Sequence, residues 1–428
     1  MHDYIIIGGG LQGGLLTLAI KYHRPKATIL LIERDRKVGG NHTWSFHPRD
    51  VPTVARPWIE PLVTSRWQSY FVRFPGFERR VNLSYATISS DVFAAIVTES
   101  FRELQTRELQ TIGYQETSAD VCYSRGSIGN DERSRATASN PSTQWSSDQV
   151  ESRLLTETDI EFIDEKSVRT ADGVTFGGKV VIDCRGPSRL SSHAAIDGGF
   201  QKFYGFEIEL DKDWPESYPV LMDACQDQSN GFRFIYTLPF SNRRVLIEDT
   251  QFSDDSRIDR AECLRNVEAF VRGKTDATWS IVREETGCLP MPLTKASIPQ
   301  ADLPLRGGYA GGWFHAATGY SFPLAVRYAN AVAAVGPERA VEAVVALVAE
   351  NQSQAKFARL LNRLLFRLVK PSKRWGIFRR FYRVLSDETI SRFYAHRFTK
   401  KDAFRIVVGR PPAGLTPLRF ILSLRKQR

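Results

Sequence analysis

The segment Asp3-Tyr4-Ile5-Ile6-Ile7-Gly8-Gly9-Gly10-Leu11-Gln12-Gly13-Gly14-Leu15-Leu16 decides how the first part of this chain folds. A short apolar run of β-forming residues meets glycines at 8, 10 and 13, spaced Gly-x-Gly-x-x-Gly. A helix-like stretch follows from Leu15 to Tyr22, and then a second apolar strand, Thr28-Ile29-Leu30-Leu31-Ile32, which ends in Glu33. Each part has a task in a dinucleotide site. Gly8 makes the tight turn, Gly10 lets the backbone approach a pyrophosphate, and Gly13 allows helix and strand to pack closely. The helix N-terminus offers unpaired N–H groups and the positive end of its dipole to phosphate. Glu33 can accept hydrogen bonds from ribose hydroxyls. The glycine spacing alone is a weak signal. The strand before it, the helix after it and the acid at the end of the second strand raise it above the plainer alternative, a βαβ unit with a glycine-rich turn.

Two features favour FAD over NAD. The motif stands at the start of the chain, as in large flavoproteins, and Val38-Gly39-Gly40-Asn41-His42-Thr43-Trp44-Ser45-Phe46 follows Glu33 closely. A stretch in that position passes near the cofactor in glutathione-reductase-like flavoproteins, which adds Gly40, Asn41 and His42 to the cofactor-binding set; a plain loop with buried aromatics is the alternative. Val180-Val181-Ile182-Asp183-Cys184-Arg185-Gly186-Pro187 reads as a buried strand closing the same domain at a turn, with Asp183 at its end. A third glycine-rich run leads through Gly319, Tyr320 and Ser321 to Phe322-Pro323 and a helix from Ala325 to Val335. Pro323 suits a first helical turn, and the helix N-terminus can face the flavin or its phosphates. His315, just before it, is more simply a hydrogen-bonded structural histidine than a ligand or base.

With 428 residues, two domains are expected. The fold class reads as mixed α/β, a Rossmann-like FAD-binding domain of the glutathione-reductase/hydroxylase type with an antiparallel-sheet substrate domain and a helical C-terminal region. The FAD-binding domain takes 1–192, discontinuous with 303–336; the substrate-binding sheet takes 193–302; a basic helical region takes 337–428. Residues 116–150, rich in Ser, Thr, Asn, Asp and Arg, read as an inserted loop. Five scattered cysteines without a Cys-x-x-Cys pair and seven dispersed histidines argue against disulfides and against a metal site, and fit a reducing compartment. No signal peptide is read at the N-terminus, and no apolar run approaches the roughly 18 residues of a spanning helix.

The net charge of +10 is concentrated at one end. Residues 351–428 carry 20 Lys and Arg against 3 Asp and Glu, while the rest of the chain sums to −7. Phe357, Leu360, Leu361, Leu364, Leu365 and Leu368 recur at helical spacing, with Lys356, Arg359, Arg363, Arg367 and Lys370 on the other face, and Lys373-Arg374-Trp375 to Arg383 continues the basic-aromatic pattern. Three readings compete: a membrane interface, a leucine stripe packed on the core, and nucleic-acid binding. No zinc pair, helix-turn-helix signature or RNP-type motif supports the last, so no nucleic-acid partner is expected, and oligomeric state is left open.

Between 200 and 252 three alternating, aromatic-rich strands suggest an antiparallel sheet with one lined face, a wall for an apolar ligand. The third contains Glu248-Asp249-Thr250. Adjacent carboxylates in a strand point to opposite faces, so only one of the two can face a pocket while the strand is regular. An exposed strand end is the plain alternative.

Taken in order, the N-terminal glycine motif, Gly39 to Phe46, Val180 to Asp183, Leu246-Ile247-Glu248-Asp249-Thr250 and Phe314-His315-Ala316-Ala317-Thr318-Gly319-Tyr320-Ser321 resemble bacterial lycopene beta-cyclases over nearly the whole chain, including Leu361 to Phe366 and Arg379 to Tyr382. Ala316-Ala317 stands where the family commonly has Pro-Thr, and 116–150 is extra sequence. The resemblance implies a proton-initiated cyclisation, without net redox change, of the linear psi ends of lycopene and related carotenoids to beta rings. It implies reduced FAD, with NADPH or NADH as reductant. It carries the acid/base role onto Glu248, with Asp249 beside it as the second catalytic candidate. A carboxyl among apolar walls can stay protonated and donate to an alkene. Trp44, Phe46, Phe206, Tyr236 and Trp313 could stabilise the cation through their ring faces, or simply line a tunnel. A C40 hydrocarbon substrate favours the membrane reading of the C-terminus and a cytoplasmic location, peripheral on the inner face of the membrane. The alternatives are a flavin-dependent reductase or monooxygenase acting on a polyprenyl lipid, and a non-enzymatic flavin-containing membrane or RNA-binding protein.

Overall fold

A computed structural model describes residues 1–115, 151–186, 197–294 and 305–408. The stretch 116–150 read as an insertion lies outside the described residues. The opening βαβ unit forms as its pattern requires. The strand His2–Ile7 lies at the centre of a seven-stranded sheet, parallel to Ile29–Ile32 on one side and to Thr175–Asp183 on the other. Arg153–Leu155 and Leu305–Arg306 extend it in parallel, and Ser167–Thr170 and Ile160–Ile163 finish it antiparallel. The central strand is apolar on both sides because both faces are covered. Tyr4 and Ile6 pack into the core formed with the helices Leu11–His23 and Phe322–Val335. Ile5 and Ile7 pack on the other face with Leu30, Val168 and Val181.

The glycines explain how tightly this unit closes. A Cβ at Gly13 would stand 1.9 Å from the carbonyl oxygen of Gly8, so the helix lies directly against the turn. Gly8 itself has φ +96°, in the region that glycine alone adopts freely.

A second seven-stranded sheet runs Trp279–Pro292, Gly198–Leu210, Arg244–Ser253, Phe232–Pro239, Val220–Asp223, Tyr70–Phe74, Phe77–Val81. Its first five strands pair antiparallel, as the alternation predicts. The last two lie inside the segment 1–192 that the sequence assigned to the first domain. They add to this sheet because Val220–Asp223 offers an open edge, which Tyr70–Phe74 fills in parallel. A boundary at residue 192 is therefore corrected: the chain visits the second sheet early and returns. A small sheet of Thr43–Phe46, Tyr85–Ser89 and Ser65–Trp67 carries the crossing.

The C-terminal region is helical as far as it is described, but its leucines do not form a free face. The helix Ala340–Arg363 runs into a π-helical turn, Leu364–Leu368, and Leu365 and Leu368 are buried while Phe357 and Leu361 pack against a core cluster. Of the stripe, Leu360 stays exposed. The next helix, Trp375–Val384, turns its aromatics onto the second sheet: Phe378 stacks on Phe232 at 4.5 Å, and Tyr382 is fully buried. Arg374, in the basic-aromatic run, is 1% exposed and pairs with Asp254 at 2.8 Å over the ring of Phe366. Among the described residues no helix is long and apolar enough to cross a membrane.

Because the obstructing atom at Gly13 is backbone and cannot move aside, Gly13→Ala is expected to cost about 1–3 kcal/mol, read as a lowered urea midpoint. Gly10→Ala, where the added methyl meets nothing within 4 Å, is expected to leave that midpoint unchanged.

Candidate functional site

The two sheets meet around one cavity of about 560 Å³. Its floor is the C-terminal edge of the first sheet. There the helix Leu11–His23 starts at Gly10 with no side-chain cap, and its first intrahelical bond is from the Gly14 N–H to the Gly10 carbonyl, 2.9 Å. The N–H groups before it point outward unpaired within the helix. Ser321, at the start of the helix Phe322–Val335, enters the same cavity from the other side, with Pro323 in the first turn. Two helix N-termini thus present positive dipole ends to one space, a setting for an anion.

The residues expected to hold a dinucleotide divide by position. Gly8, Gly10, Glu33, Gly40, His42, Gly319, Tyr320 and Ser321 all line the cavity. Glu33 accepts from the Gly9 N–H at 2.6 Å and from the Asp35 N–H at 2.9 Å, so its carboxylate is oriented at the strand end. Gly13, Asn41 and Asp183 do not form the wall. Gly13 acts through packing alone. Asn41 faces outward and donates to the Glu284 carbonyl at 2.7 Å. Asp183 turns back to grip Arg185 in a bidentate pair, Nε to Oδ1 2.9 Å and a second bond of 2.8 Å to Oδ2. Arg185 is the residue that reaches the cavity, and sequence reasoning missed it. The signal was available, since a cation two residues past a strand-end acid folds back on it readily. The donor set fits FAD: two helix ends and Arg185 for phosphates, an oriented Glu33 for ribose hydroxyls, and open space at Gly10 where a backbone approach is needed.

The other half of the cavity is apolar and aromatic, with Phe203, Phe234, Phe252, Leu221, Met222 and Phe378 in the wall. Of the five aromatics considered as cation stabilisers, Trp44 and Tyr236 reach it. Phe46 stacks on Phe322 at 4.1 Å in the first core, and Trp313 donates to the Arg306 carbonyl at 2.9 Å there. Phe206 is fully buried on the far face of the second sheet. Tyr85 and Tyr394, in no motif of the sequence, also line the space, and Tyr236 donates to Ser45 Oγ at 2.9 Å.

The strand Arg244–Ser253 stays regular, so its two acids part. Glu248 faces the cavity, half-buried. Removal from water, then the neighbouring Glu285 carboxyl, push its acid well above the usual carboxylate range; Arg283 acts in the opposite sense. Asp249 lies on the opposite face, fully buried under the helix Arg260–Arg272. Asn266 donates to its Oδ2 at 2.9 Å, and Arg233 Nε stands 2.9 Å from its Oδ1, at an angle poor for a hydrogen bond. Of the two expected catalytic carboxylates, Asp249 therefore does not reach the cavity, for the reason that successive side chains alternate across a sheet. His315 is buried, its Nδ1 accepting from the Ala317 N–H at 3.2 Å; burial lowers its pKa to about 3 and keeps it neutral. It stands in the packing, not in the cavity wall. Among the described residues no three His, Cys, Asp or Glu side chains converge as a metal cluster.

Fold and cavity together define a protein built like the FAD-dependent reductases and monooxygenases. Among solved structures it resembles a geranylgeranyl bacteriochlorophyll reductase-like protein from Thermoplasma acidophilum (TM-score 0.56, 11% identity, covering 99% of this chain and 98% of that one). It also resembles a probable FAD-dependent monooxygenase from Pseudomonas aeruginosa (TM-score 0.54, 16% identity, 88% and 98%). Within that class, the chain matches the family described as lycopene cyclase protein over residues 3–124 and 148–420, and it belongs to that family. The gap in the match falls within the stretch read as an insertion. The chain is 34% identical to a lycopene beta-cyclase of Pantoea ananas, over 96% of its own length and 95% of that protein's. It is 31% identical to one of Paracoccus sp. (strain N81106 / MBIC 01143), over 97% and 95%.

The two acids make a contrasting pair. Asp249→Asn leaves Arg233 facing a neutral partner and is expected to lower stability by about 1–3 kcal/mol in urea denaturation. Glu248→Gln relieves a carboxyl held away from water and is expected to leave the midpoint unchanged or raised.

Proposed function

We propose that this protein is a lycopene beta-cyclase, an isomerase that closes the linear psi ends of lycopene into beta rings, giving gamma- and beta-carotene in carotenoid biosynthesis. The observation that carries this reading is Glu248, a carboxyl in the wall of an aromatic cavity continuous with the dinucleotide cleft, where removal from water and the neighbouring Glu285 favour its acid form. Its proton goes to the terminal double bond of the bound polyene, leaving a tertiary cation. An inner double bond attacks that cation and closes the six-membered ring, and loss of a ring proton restores neutrality. Hydrogen and electron count are unchanged from substrate to product. Trp44 and Tyr236 line the same space, and the apolar wall keeps water from capturing the cation.

The cleft holds FAD in this reading, with Gly8, Gly10 and Ser321 toward its phosphates and Glu33 toward a ribose. Reduced FAD, when bound, supplies negative charge near the cationic polyene, and NADPH or NADH is its reductant. The enzyme works as a peripheral protein on the cytoplasmic face of the membrane, where its hydrocarbon substrate resides. Support comes from the helix Lys400–Val407, which exposes Phe404 (65%), Val407 and then Val408 beside Lys400, Lys401 and Arg405.

Two experiments test these parts. Purified protein is incubated anaerobically with lycopene liposomes, FAD and NADPH, and products are separated by chromatography. Cyclic carotenes without matching NADPH consumption are expected, and Glu248→Ala is expected to keep flavin while losing about 10²–10⁴-fold in rate. A reduced or oxygenated product formed one-for-one with NADPH oxidation would sink the cyclase reading. Separately, Phe404→Ser with Val407→Ser is expected to reduce co-sedimentation with anionic vesicles; unchanged binding removes this helix from the membrane contact.

A further inference from the structure

The carboxyl of Glu248 does not stand alone. In the second sheet the strand Gly198–Leu210, central among three neighbours, places Gly205 opposite Glu248 on one side and opposite Glu285 on the other. Three residues in one row share a face, so both acids rise on the cavity side with a residue lacking a side chain between them. A Cβ at Gly205 would stand 2.8 Å from Glu248 Cγ and 3.2 Å from Glu285 Cγ; the two side chains lean into the space that glycine leaves. The two carboxyls are thus close neighbours, and the presence of Glu285 disfavours the ionised form of Glu248. Like charges this close do not both ionise.

The surrounding donors decide which one is the anion. An Arg283 guanidinium nitrogen donates to Glu285 Oε2 at 2.6 Å, and Thr43 Oγ1 donates to the same oxygen at 3.1 Å. Arg283 is in turn held by Glu207 Oε2 at 2.8 Å and by Thr43 Oγ1 at 2.6 Å. Among the described residues no Lys or Arg pairs with Glu248. On its other side lies Tyr236, its partner across the strand pair, whose phenol burial keeps protonated.

We propose that Glu285 is a positioning residue for proton donation: anchored as an anion by Arg283 and Thr43, it shares one proton with Glu248 across the gap at Gly205 and presents Glu248 to the polyene in its acid form. This rests on the cyclase reading of the site and deepens it. The proton that leaves Glu248 for the alkene gives a state in which both carboxyls are anionic beside a cation, and the proton lost from the new ring restores the shared state.

The consequence is a pH dependence with a definite sign. The groups facing the pair are Arg283 from its own strand, Glu207 from the central strand, Tyr236 and Tyr85 from the far side, and His42 from the loop before Thr43. Removal from water shifts the His42 pKa downward, and burial holds Tyr85 protonated. Activity needs the acid form of Glu248 and falls as pH rises. Removing the Glu285 charge lets Glu248 ionise earlier, so the fall moves to lower pH.

The test compares wild type, Glu285→Gln, Glu285→Asp, Gly205→Ala and Glu248→Gln, each with FAD bound, on lycopene liposomes, measuring kcat and KM from pH 5 to pH 9 and flavin absorbance. Glu285→Gln is expected to retain flavin and KM, with kcat reduced at neutral pH and its alkaline fall moved down by about one unit or more; Glu285→Asp restores most of the wild-type profile. Gly205→Ala, which keeps both acids but wedges a methyl between them, is expected to move the fall in the same direction and serves if Glu285→Gln does not fold. A wild-type kcat and an unmoved alkaline fall in either variant overturn the proposal. Wild-type turnover by Glu248→Gln would instead remove the acid role of Glu248 itself, which separates the failure of that reading from the failure of the pairing.

Discussion

The rest of the structure hangs on the packing of one strand, His2–Ile7, between two parallel neighbours. Its register sets Ile7 beside Ile32 and beside Asp183, so three strands end at one edge of the sheet. The segments that leave those three ends are thereby brought together: Gly8 and the helix start, Glu33, and the turn at Cys184 and Arg185. A parallel sheet leaves the groups at its C-terminal edge unpaired and aims the adjoining helices at them, which is why ligands bind there in open α/β folds. Burial of both faces of that strand holds the edge rigid, and the contact of Gly13 with the Gly8 carbonyl leaves no room for the helix start to drift.

The second sheet contributes by a different rule. In a pleated strand, neighbours in sequence belong to opposite environments and neighbours in space come from other strands. Glu248 and Asp249 are adjacent in the chain and separated by the sheet. One is pressed against another carboxyl in an aromatic cavity, the other closes an ion pair beneath a helix. Glu248 and Glu285 are far apart in the chain and share a row. The same residue type thus has opposite electrostatic fates according to which side of the backbone it leaves.

The C-terminal region ties these layers together. Phe378 and Tyr394 complete the cavity wall, and the buried Arg374 pins its helix to the second sheet through Asp254. Much of what looks in the sequence like a basic, membrane-facing amphipathic segment is spent on internal packing. Among the described residues, the apolar side chains that this region leaves exposed are few, Phe404 and Val407 among them.

Sequence by itself determined the βαβ unit, the antiparallel second sheet and the alternation at Glu248-Asp249. These are local matters: glycines where the backbone must turn or touch, apolar residues at a period of two, an acid at a strand end. That Gly8, Gly10, Glu33 and Ser321 come to one cavity follows from the same local rules, since each sits in a short stretch whose geometry is set by its neighbours. Only the tertiary structure decided that Arg185 rather than Asp183 enters the cavity, that Tyr70–Phe74 joins the second sheet, that the leucine stripe turns inward, and that Glu285 stands beside Glu248. Each of those depends on which strands become neighbours, a pairing made by hydrogen bonds between segments remote in the chain, and no spacing within a single segment records it.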